Sequence, residues 1–291
     1  MRKSNTRRDI KEATAALKEV MQENLSMIAS NMIEQIITNY RNLIPSQRLN
    51  ATKNVSPTGI KDYKEALLLS YAIIAGEALT SVRKEVPSKK NVRLAEIDEN
   101  SLQLGEFESL PPDLQKRLKS MMDLFVGTQI SDLEKAIYFQ YNSSVDSTDS
   151  EGLLRDDLTE SASDYISSSS IQGGASAASA QIVNESRLAF FLDDSVSEDI
   201  EAFEFVNGDP VSPICQDLAG TIFAKDDPNL HRYWPPLHFN CKSYISAILV
   251  GNLGNKEVTS FKPSNAKLED SIQFAEITID LALKESKTPR P

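Results

Sequence analysis

The chain has 291 residues, of which 40% are hydrophobic and 25% charged, and it carries a net charge of −11. It is long enough to bury a sizeable core, and it contains no run of 18 apolar residues that would predict a membrane-spanning helix. The negative charge disfavours general nucleic-acid binding, because phosphate contacts require clustered lysine and arginine. The basic start of the sequence has no apolar stretch behind it, so we do not expect a secretory signal.

The first 84 residues predict two long helices. Apolar residues recur at helical spacing over 9–44, and Pro45 ends that segment. Residues 46–58 are polar and predict a loop. The apolar run ALLLSYAIIAGEAL then predicts a helix over about 61–84 that is apolar nearly all round, which is typical of a centrally buried helix.

Helices also dominate the middle of the chain. A third helix is expected to open at Pro111 and Pro112, because proline fits the first turn of a helix. Serine and aspartate over 143–151 predict a loop, and a fourth helix covers about 151–168. The SSSSIQGG segment that follows predicts a hinge, after which a helix with a face of small residues runs from about 175 to 192.

The hydrophobic pattern changes near residue 200. Residues 200–206 predict a strand, and the sequence NGDP at 207–210 predicts a turn. The proline-rich stretch 211–241 is expected to consist mainly of loops, and 244–250 is a second candidate strand.

Together these segments predict an α+β protein. We expect a helical N-terminal region over 1–150, a small mixed α/β and loop-rich module over 151–250, and a polar tail over 251–291. A short strand at 92–97 and a helix at about 267–284 are weaker predictions.

The chemistry-bearing residues are concentrated in the C-terminal module. The only two cysteines and two histidines of the chain lie within 27 residues of one another, at Cys215, His231, His238 and Cys241. Thiolate sulfur and imidazole nitrogen are the ligands that zinc prefers, and a zinc ion would cross-link a module with few regular elements. Cys215, His238 and Cys241 are therefore candidate ligands of a structural zinc ion.

Other interpretations of the same residues stay open. A disulfide between Cys215 and Cys241 would close a loop of about 25 residues, worth roughly 3 kcal/mol. Alternatively, both cysteines are small buried hydrophobic residues and His238 is a hydrogen-bonded core residue. A Cys–His pair acting as nucleophile and base is a further alternative, although no third orienting residue is recognisable.

The order of motifs in this region resembles the phage Mu protein F-like minor head proteins. The resemblance rests on four segments: NESRLAFF at 184–191, EAFEFVNGDP at 201–210, SPICQDLAGTIFAKDD at 212–227, and WPPLHFNCKSYISAI at 234–248. The positions that match the family pattern are Asp209, Cys215, Gly220, Pro236, His238 and Cys241. Ser212 and Ser243 stand where the family pattern has cysteines, which puts metal binding in doubt.

The resemblance implies a non-enzymatic structural role. It implies a minor capsid protein of a bacteriophage head, assembled in the host cytoplasm, with the portal protein and the major capsid or scaffold proteins as partners. It further implies a part in head assembly and in DNA packaging or delivery. No membrane partner is expected.

Two alternatives belong to other functional classes. One is a metal-dependent enzyme acting on nucleic acid, with Asp209, His238 and Cys241 as ligands; the other is a zinc-stapled binding module. Direct contact with viral DNA would use the basic residues near the N-terminus, although a solvated terminus is the simpler explanation of these residues. These residues are Arg2, Lys3, Arg7 and Arg8.

Overall fold

Helices dominate the computed structural model, which describes residues 6–86, 107–147, 150–208, 212–227, 230–238 and 241–258. The helices are α1 (Thr6–Asn42), α2 (Ile60–Arg83), α3 (Pro112–Ser144), α4 (Glu151–Ser167), α5 (Ser169–Phe191), α6 (Asp194–Ser197) and α7 (Pro213–Leu218). The strands are β1 (Ile200–Val206), β2 (Ile222–Ala224) and β3 (Tyr244–Leu249). The expected α+β class is confirmed.

The predicted hinge before α5 differs from the observed structure. Only Ser168 interrupts the helices, and the glycines at 173 and 174 lie inside α5, which begins at Ser169. Glycine costs up to about 1 kcal/mol in a helix. Two small residues that follow these glycines, Ala175 and Ser179, are fully buried. Close packing of this part of the helix therefore offsets the cost of the glycines. The strand predicted at 92–97 and the helix predicted at 267–284 lie outside the described residues.

Contacts between residues divide the chain into two compact units. The helical unit consists of residues 16–68 and 121–172, and the sheet unit consists of residues 1–15, 69–120 and 173–291. Each unit is thus assembled from separated stretches of sequence. The composition-based boundaries at residues 150 and 250 remain predictions.

The helical unit is built on the apolar face of α1. Its buried side chains recur every three or four residues and include Leu17, Met21, Leu25, Ile28, Met32 and Ile36. Inside the unit, the Tyr63 hydroxyl donates a hydrogen bond to the buried Gln129 side chain. At its surface, Arg41 forms two hydrogen bonds of 3.0 and 2.6 Å with the Glu151 carboxylate, and Arg155 pairs with Glu34. These contacts attach α4 to α1.

The sheet unit contains a three-stranded antiparallel sheet in the order β2-β1-β3. Phe203 of β1 lies opposite Phe223 of β2 on one side and Ala247 of β3 on the other. Antiparallel neighbours need only short connections, yet 37 residues separate β1 from β3. That long connection carries the Cys and His residues.

Helix α5 covers the outer edge of β3 with two polar side chains one turn apart. The Asn184 Nδ2 donates to the Ser243 carbonyl (3.2 Å), and Arg187 donates to the Ile245 carbonyl through Nε (3.0 Å) and Nη2 (2.8 Å). An edge strand otherwise exposes unpaired backbone groups that invite pairing with another chain. The two side chains therefore pair with two carbonyl groups at this edge and fix β3 against α5.

Among the described residues, α2 alone is long and apolar enough for a membrane span by length and composition. Half of its most apolar 18-residue stretch is buried inside the protein, as in the core helix of a soluble protein. This single helix is weak evidence for a membrane protein.

Candidate metal centre

Cys215 is positioned by the short helix α7. Ser212 precedes the helix as its N-cap residue, and its Oγ accepts a hydrogen bond of 3.5 Å from the Cys215 amide. Pro213 occupies the first helical position, where its missing N–H group costs nothing. This local sequence turns the Cys215 side chain inward, and the residue is fully buried.

His238 and Cys241 lie in the loop before β3. The Cys241 amide donates a hydrogen bond to the His238 carbonyl (3.1 Å). This hydrogen bond closes a turn that keeps the two residues close together. The loop is anchored by Trp234, whose indole N–H donates to the Asn184 carbonyl (3.1 Å). The Trp234 ring also packs edge-to-face on Phe203, with ring centroids 5.7 Å apart. The anchored loop therefore brings His238 and Cys241 to α7.

The three candidate ligands of the predicted zinc site meet at one point. The Cys215 sulfur lies 3.7 Å from the Cys241 sulfur and 3.1 Å from His238 Nε2, and one donor atom of each residue lies within 4.8 Å of the others. Both cysteines are free thiols and fully buried, whereas His238 is half-buried. The three residues are close enough to bind a metal ion.

The donor set and its spacing fit zinc. Zn–S bonds of about 2.3 Å at a tetrahedral angle place two sulfurs about 3.8 Å apart, close to the sulfur–sulfur distance in this chain. The corresponding sulfur–nitrogen edge is about 3.5 Å, so His238 would move outward by a few tenths of an ångström on binding. Two thiolates and one imidazole also form a donor set that favours zinc over calcium or magnesium.

The two cysteines differ in acidity because of the hydrogen bond between their sulfurs. The hydrogen bond from Cys215 lowers the pKa of Cys241 to about 4, with further help from a hydrogen bond to His238. The same contact with Cys241 raises the pKa of Cys215, and its burial adds to the rise. Within the pair, Cys241 is therefore the thiol that ionises more easily.

Two serines, Ser212 and Ser243, lie close to the two cysteines along the chain. The contact with Cys241 and burial raise the pKa of Cys215, and the nearby side chains of Ser212 and Ser243 act in the opposite direction. Ser243 is fully buried, and its Oγ also accepts from the Gly208 amide (3.2 Å). From the sequence, these serines were notable only as departures from the family pattern. Ser212 caps the helix that carries Cys215, and Ser243 follows Cys241 by two residues.

Several residues singled out from the sequence cannot be placed. Asp209, Arg2 and Lys3 lie outside the described residues, as do the side chains of His231, Arg7 and Arg8. Neither the ligand set containing Asp209 nor the basic N-terminal contact with DNA is therefore tested.

Two residues that support the site were not predicted as functional. Asn184 and Arg187 connect α5 to β3 and to the Trp234 loop, and both are buried. The available signal was weak: a polar Asn-Glu-Ser-Arg segment at 184–187 inside an otherwise apolar helix. A buried polar side chain requires a partner, which sequence periodicity does not identify.

No family model matches the chain, and neither the curated proteins nor the solved structures give a match. The likeness to Mu F-like proteins therefore remains a resemblance of motifs.

Proposed function

We propose that Cys215, His238 and Cys241 hold a structural zinc ion that cross-links α7 to the loop before β3. The observation that carries this proposal is the meeting of three zinc-type donor atoms from segments 23 and 26 residues apart. The described strands of this module are short, so a metal cross-link would contribute substantially to its stability.

Burial supports a structural role more than a catalytic one. Both sulfurs are enclosed, which restricts the access of a substrate to a metal ion held between them, and the three donors leave a fourth position that a water molecule would complete. We therefore propose that the protein is not an enzyme.

Cobalt(II) binding tests the site directly, because cobalt replaces zinc and absorbs light. Titration of the full chain with Co²⁺ should produce thiolate-to-cobalt charge-transfer absorption and saturate at about one ion per chain. Cys215→Ala and Cys241→Ala should each lower that absorption, and excess Zn²⁺ should abolish it. A wild-type chain without charge-transfer absorption would refute the zinc proposal.

We further propose that the chain serves as a minor structural protein of a bacteriophage head, with the portal protein as its partner. The support is the order of the four Mu F-like motifs, together with the meeting of three of their matching residues at one cluster. Gly220, another matching position, has a positive φ of 77°, which favours glycine. In this role the protein assists head assembly and DNA packaging or delivery within the virion.

Co-purification with a portal protein tests this role. The chain should be co-expressed with the portal protein encoded by the same phage or prophage, and the complex isolated through a tag on the portal. Retention of the chain, and its detection in purified particles by mass spectrometry, would support the proposal. Absence from both the portal complex and the particles would refute it, whatever the metal content of the chain.

A further inference from the structure

The second half of α3 and helix α4 run antiparallel to each other in the helical unit. The Ser161 Oγ donates a hydrogen bond to the Ala136 carbonyl (3.2 Å), and the Tyr165 hydroxyl donates one to the Gln129 carbonyl (3.2 Å). The partner on α3 falls in number as the donor on α4 rises, so these two bonds fix which residues of the two helices lie side by side.

Each of the two helices presents a stripe of side chains on the outer side of this contact, at spacings of three and four residues. Two packed helices leave a groove between their outer faces, and these stripes border it. We call it the α3–α4 groove. Every side chain in the stripes is exposed or half-buried. The stripe on α3 consists of Asp132, Ala136, Phe139 and Ser143, and the stripe on α4 consists of Leu153, Asp157, Glu160 and Asp164.

One end of the α3–α4 groove carries two large apolar side chains in water. Phe139 is 75% exposed and Leu153 is 61% exposed. A helix rises about 1.5 Å per residue, so Phe139 lies about 4.5 Å and Leu153 about 12 Å from the Ser161–Ala136 bond in the same direction. About 8 Å therefore separates them along the groove. Exposed apolar side chains that lie near one another are typical of a surface that a protein partner covers.

The chain around the α3–α4 groove is strongly acidic. Residues 121–172 contain ten acidic and two basic side chains. Both basic side chains already form ion pairs, Lys135 with Asp132 (2.9 Å) and Arg155 with Glu34. Most of the negative charge on this surface is therefore not balanced by basic residues of the same segment.

The three acidic side chains that follow Leu153 in the α4 stripe are placed unfavourably for the stability of the helix. Asp157, Glu160 and Asp164 are three and four residues apart, a spacing at which like charges repel. Asp164 also lies in the last turn of α4, where the helix dipole disfavours a negative charge. A basic partner would relieve both effects.

We propose that the α3–α4 groove is a docking surface for a basic amphipathic helix of a partner protein. Apolar residues near one end of that helix contact Phe139 and Leu153, and lysine or arginine residues near its other end pair with the acidic side chains of α4. Apolar anchors at helical spacing provide the affinity, and charge complementarity sets the direction in which the helix lies. A nucleic acid does not fit this surface, because its phosphates are repelled by the acidic side chains.

Fluorescence anisotropy with a labelled synthetic helix tests the groove in the full chain. The lysine probe has leucine at every third or fourth position over its first two turns, lysine at those positions over its last two turns, and alanine elsewhere. It should bind the wild-type chain with a Kd below about 100 μM, and more weakly as the salt concentration rises. Two control probes, one with glutamate in place of lysine and one with a scrambled order, should bind at least about tenfold more weakly.

Serine substitutions test the apolar end of the groove. Phe139→Ser and Leu153→Ser should each raise the Kd for the lysine probe by about tenfold, because a few apolar anchors carry most of the binding energy of such a surface. Leu192→Ser is the matched control, since Leu192 is 59% exposed but lies in the sheet unit. It should keep the Kd within about twofold of the wild type. All three side chains are exposed, so the variants should keep the fold, which circular dichroism checks.

A charge reversal tests the acidic end. Glu160→Lys should weaken binding of the lysine probe and strengthen binding of the glutamate probe, because the charge that faces the end of the probe changes sign. Glu19→Lys makes the same change in net charge at an exposed position of α1 and should change the affinity for either probe much less.

The outcomes decide the role of the groove without reference to zinc content or to the portal protein. A wild-type chain that does not bind the lysine probe, or binds the scrambled probe equally well, overturns the proposal. An unchanged Kd in Phe139→Ser, Leu153→Ser and Glu160→Lys also overturns it. A wild-type chain that sediments as a dimer, and that Phe139→Ser converts to a monomer, would show that a second copy occupies the groove, which also overturns the proposal.

Discussion

Arg187 and Glu85 form a bidentate ion pair inside the sheet unit. Nη1 and Nη2 of Arg187 lie 2.9 and 2.7 Å from the two carboxylate oxygens of Glu85, and the Arg187 side chain is only 1% exposed. The same guanidinium donates to the Ile245 carbonyl and lies over the rings of Phe191 and Tyr244. One side chain therefore joins the end of α2, helix α5 and strand β3.

Arg187→Met should destabilise the sheet unit by roughly 3–5 kcal/mol, because it leaves the Glu85 carboxylate and the Ile245 carbonyl without their partner. Urea unfolding followed by the fluorescence of Trp234, the only tryptophan, reports on this unit. Lys256→Met is the control, since Lys256 pairs with Glu204 at the surface and its side chain is 53% exposed. A loss below about 1 kcal/mol for Arg187→Met would contradict this account.

Gly208→Ala should also destabilise the sheet unit, because its added Cβ would overlap the Lys242 carbonyl oxygen and neither backbone segment can move cheaply. We expect a loss of about 3 kcal/mol in the free energy of unfolding, measured by circular dichroism. Gly127→Ala on α3 is the contrasting change, since nothing lies within 4 Å of its Cβ position. It should stabilise the protein by up to about 1 kcal/mol. Equal effects of the two changes would refute the close approach at Gly208.

The stability of the sheet unit should fall as the Glu185 carboxyl ionises. Burial raises the pKa of Glu185 above its ordinary value of 4.5, although Arg117 opposes that rise. A raised pKa in the folded state means that the stability contributed by the protonated form is present below pH 4.5 and is lost as pH increases through the folded pKa. Glu185→Gln should therefore match the wild type at low pH and become relatively more stable toward neutral pH.

The free energy of unfolding in urea, measured for both proteins from below pH 4.5 to neutral pH, tests the Glu185 prediction. Glu257→Gln is the matched control, because it makes the same substitution at an exposed side chain. A Glu185→Gln variant that loses stability relative to the wild type as pH rises would reverse the expected sign.

Alkylation of the two thiols separates the metal interpretation from the disulfide. Cys215 and Cys241 are free thiols, so iodoacetamide should modify both in unfolded, metal-free protein without prior reduction. Zinc should protect both in the folded protein, because metal-bound thiolates are enclosed and less nucleophilic. Intact-mass spectrometry counts the adducts. Protein that accepts two adducts only after reduction would instead contain the disulfide.

The sequence predicted the long helices well because each has its own local signal. Apolar spacing identified α1, and proline marked the start of α3. The short elements α7 and β2 fell within a stretch expected to consist mainly of loops, since six and three residues carry too little periodicity. The α5 start was misplaced because local glycine and serine favour a break, whereas tertiary packing of small side chains favours the helix.

The candidate site was predictable only in part. The grouping of cysteine and histidine in sequence indicated Cys215, His238 and Cys241, and the fold brings all three together. The supporting contacts join residues far apart in the chain: Ser243 meets Gly208 across 35 residues, and Arg187 meets Glu85 across 102. Such contacts depend on how the elements pack, which local sequence does not determine.

The zinc content of the purified full chain tests the central claim most directly. Untagged protein, purified without chelator and dialysed, should contain about one zinc ion per chain by elemental analysis. The Cys215→Ala/Cys241→Ala double variant, treated identically, should contain almost none. Wild-type protein that carries no zinc, and takes up none from zinc-containing buffer, would contradict the account.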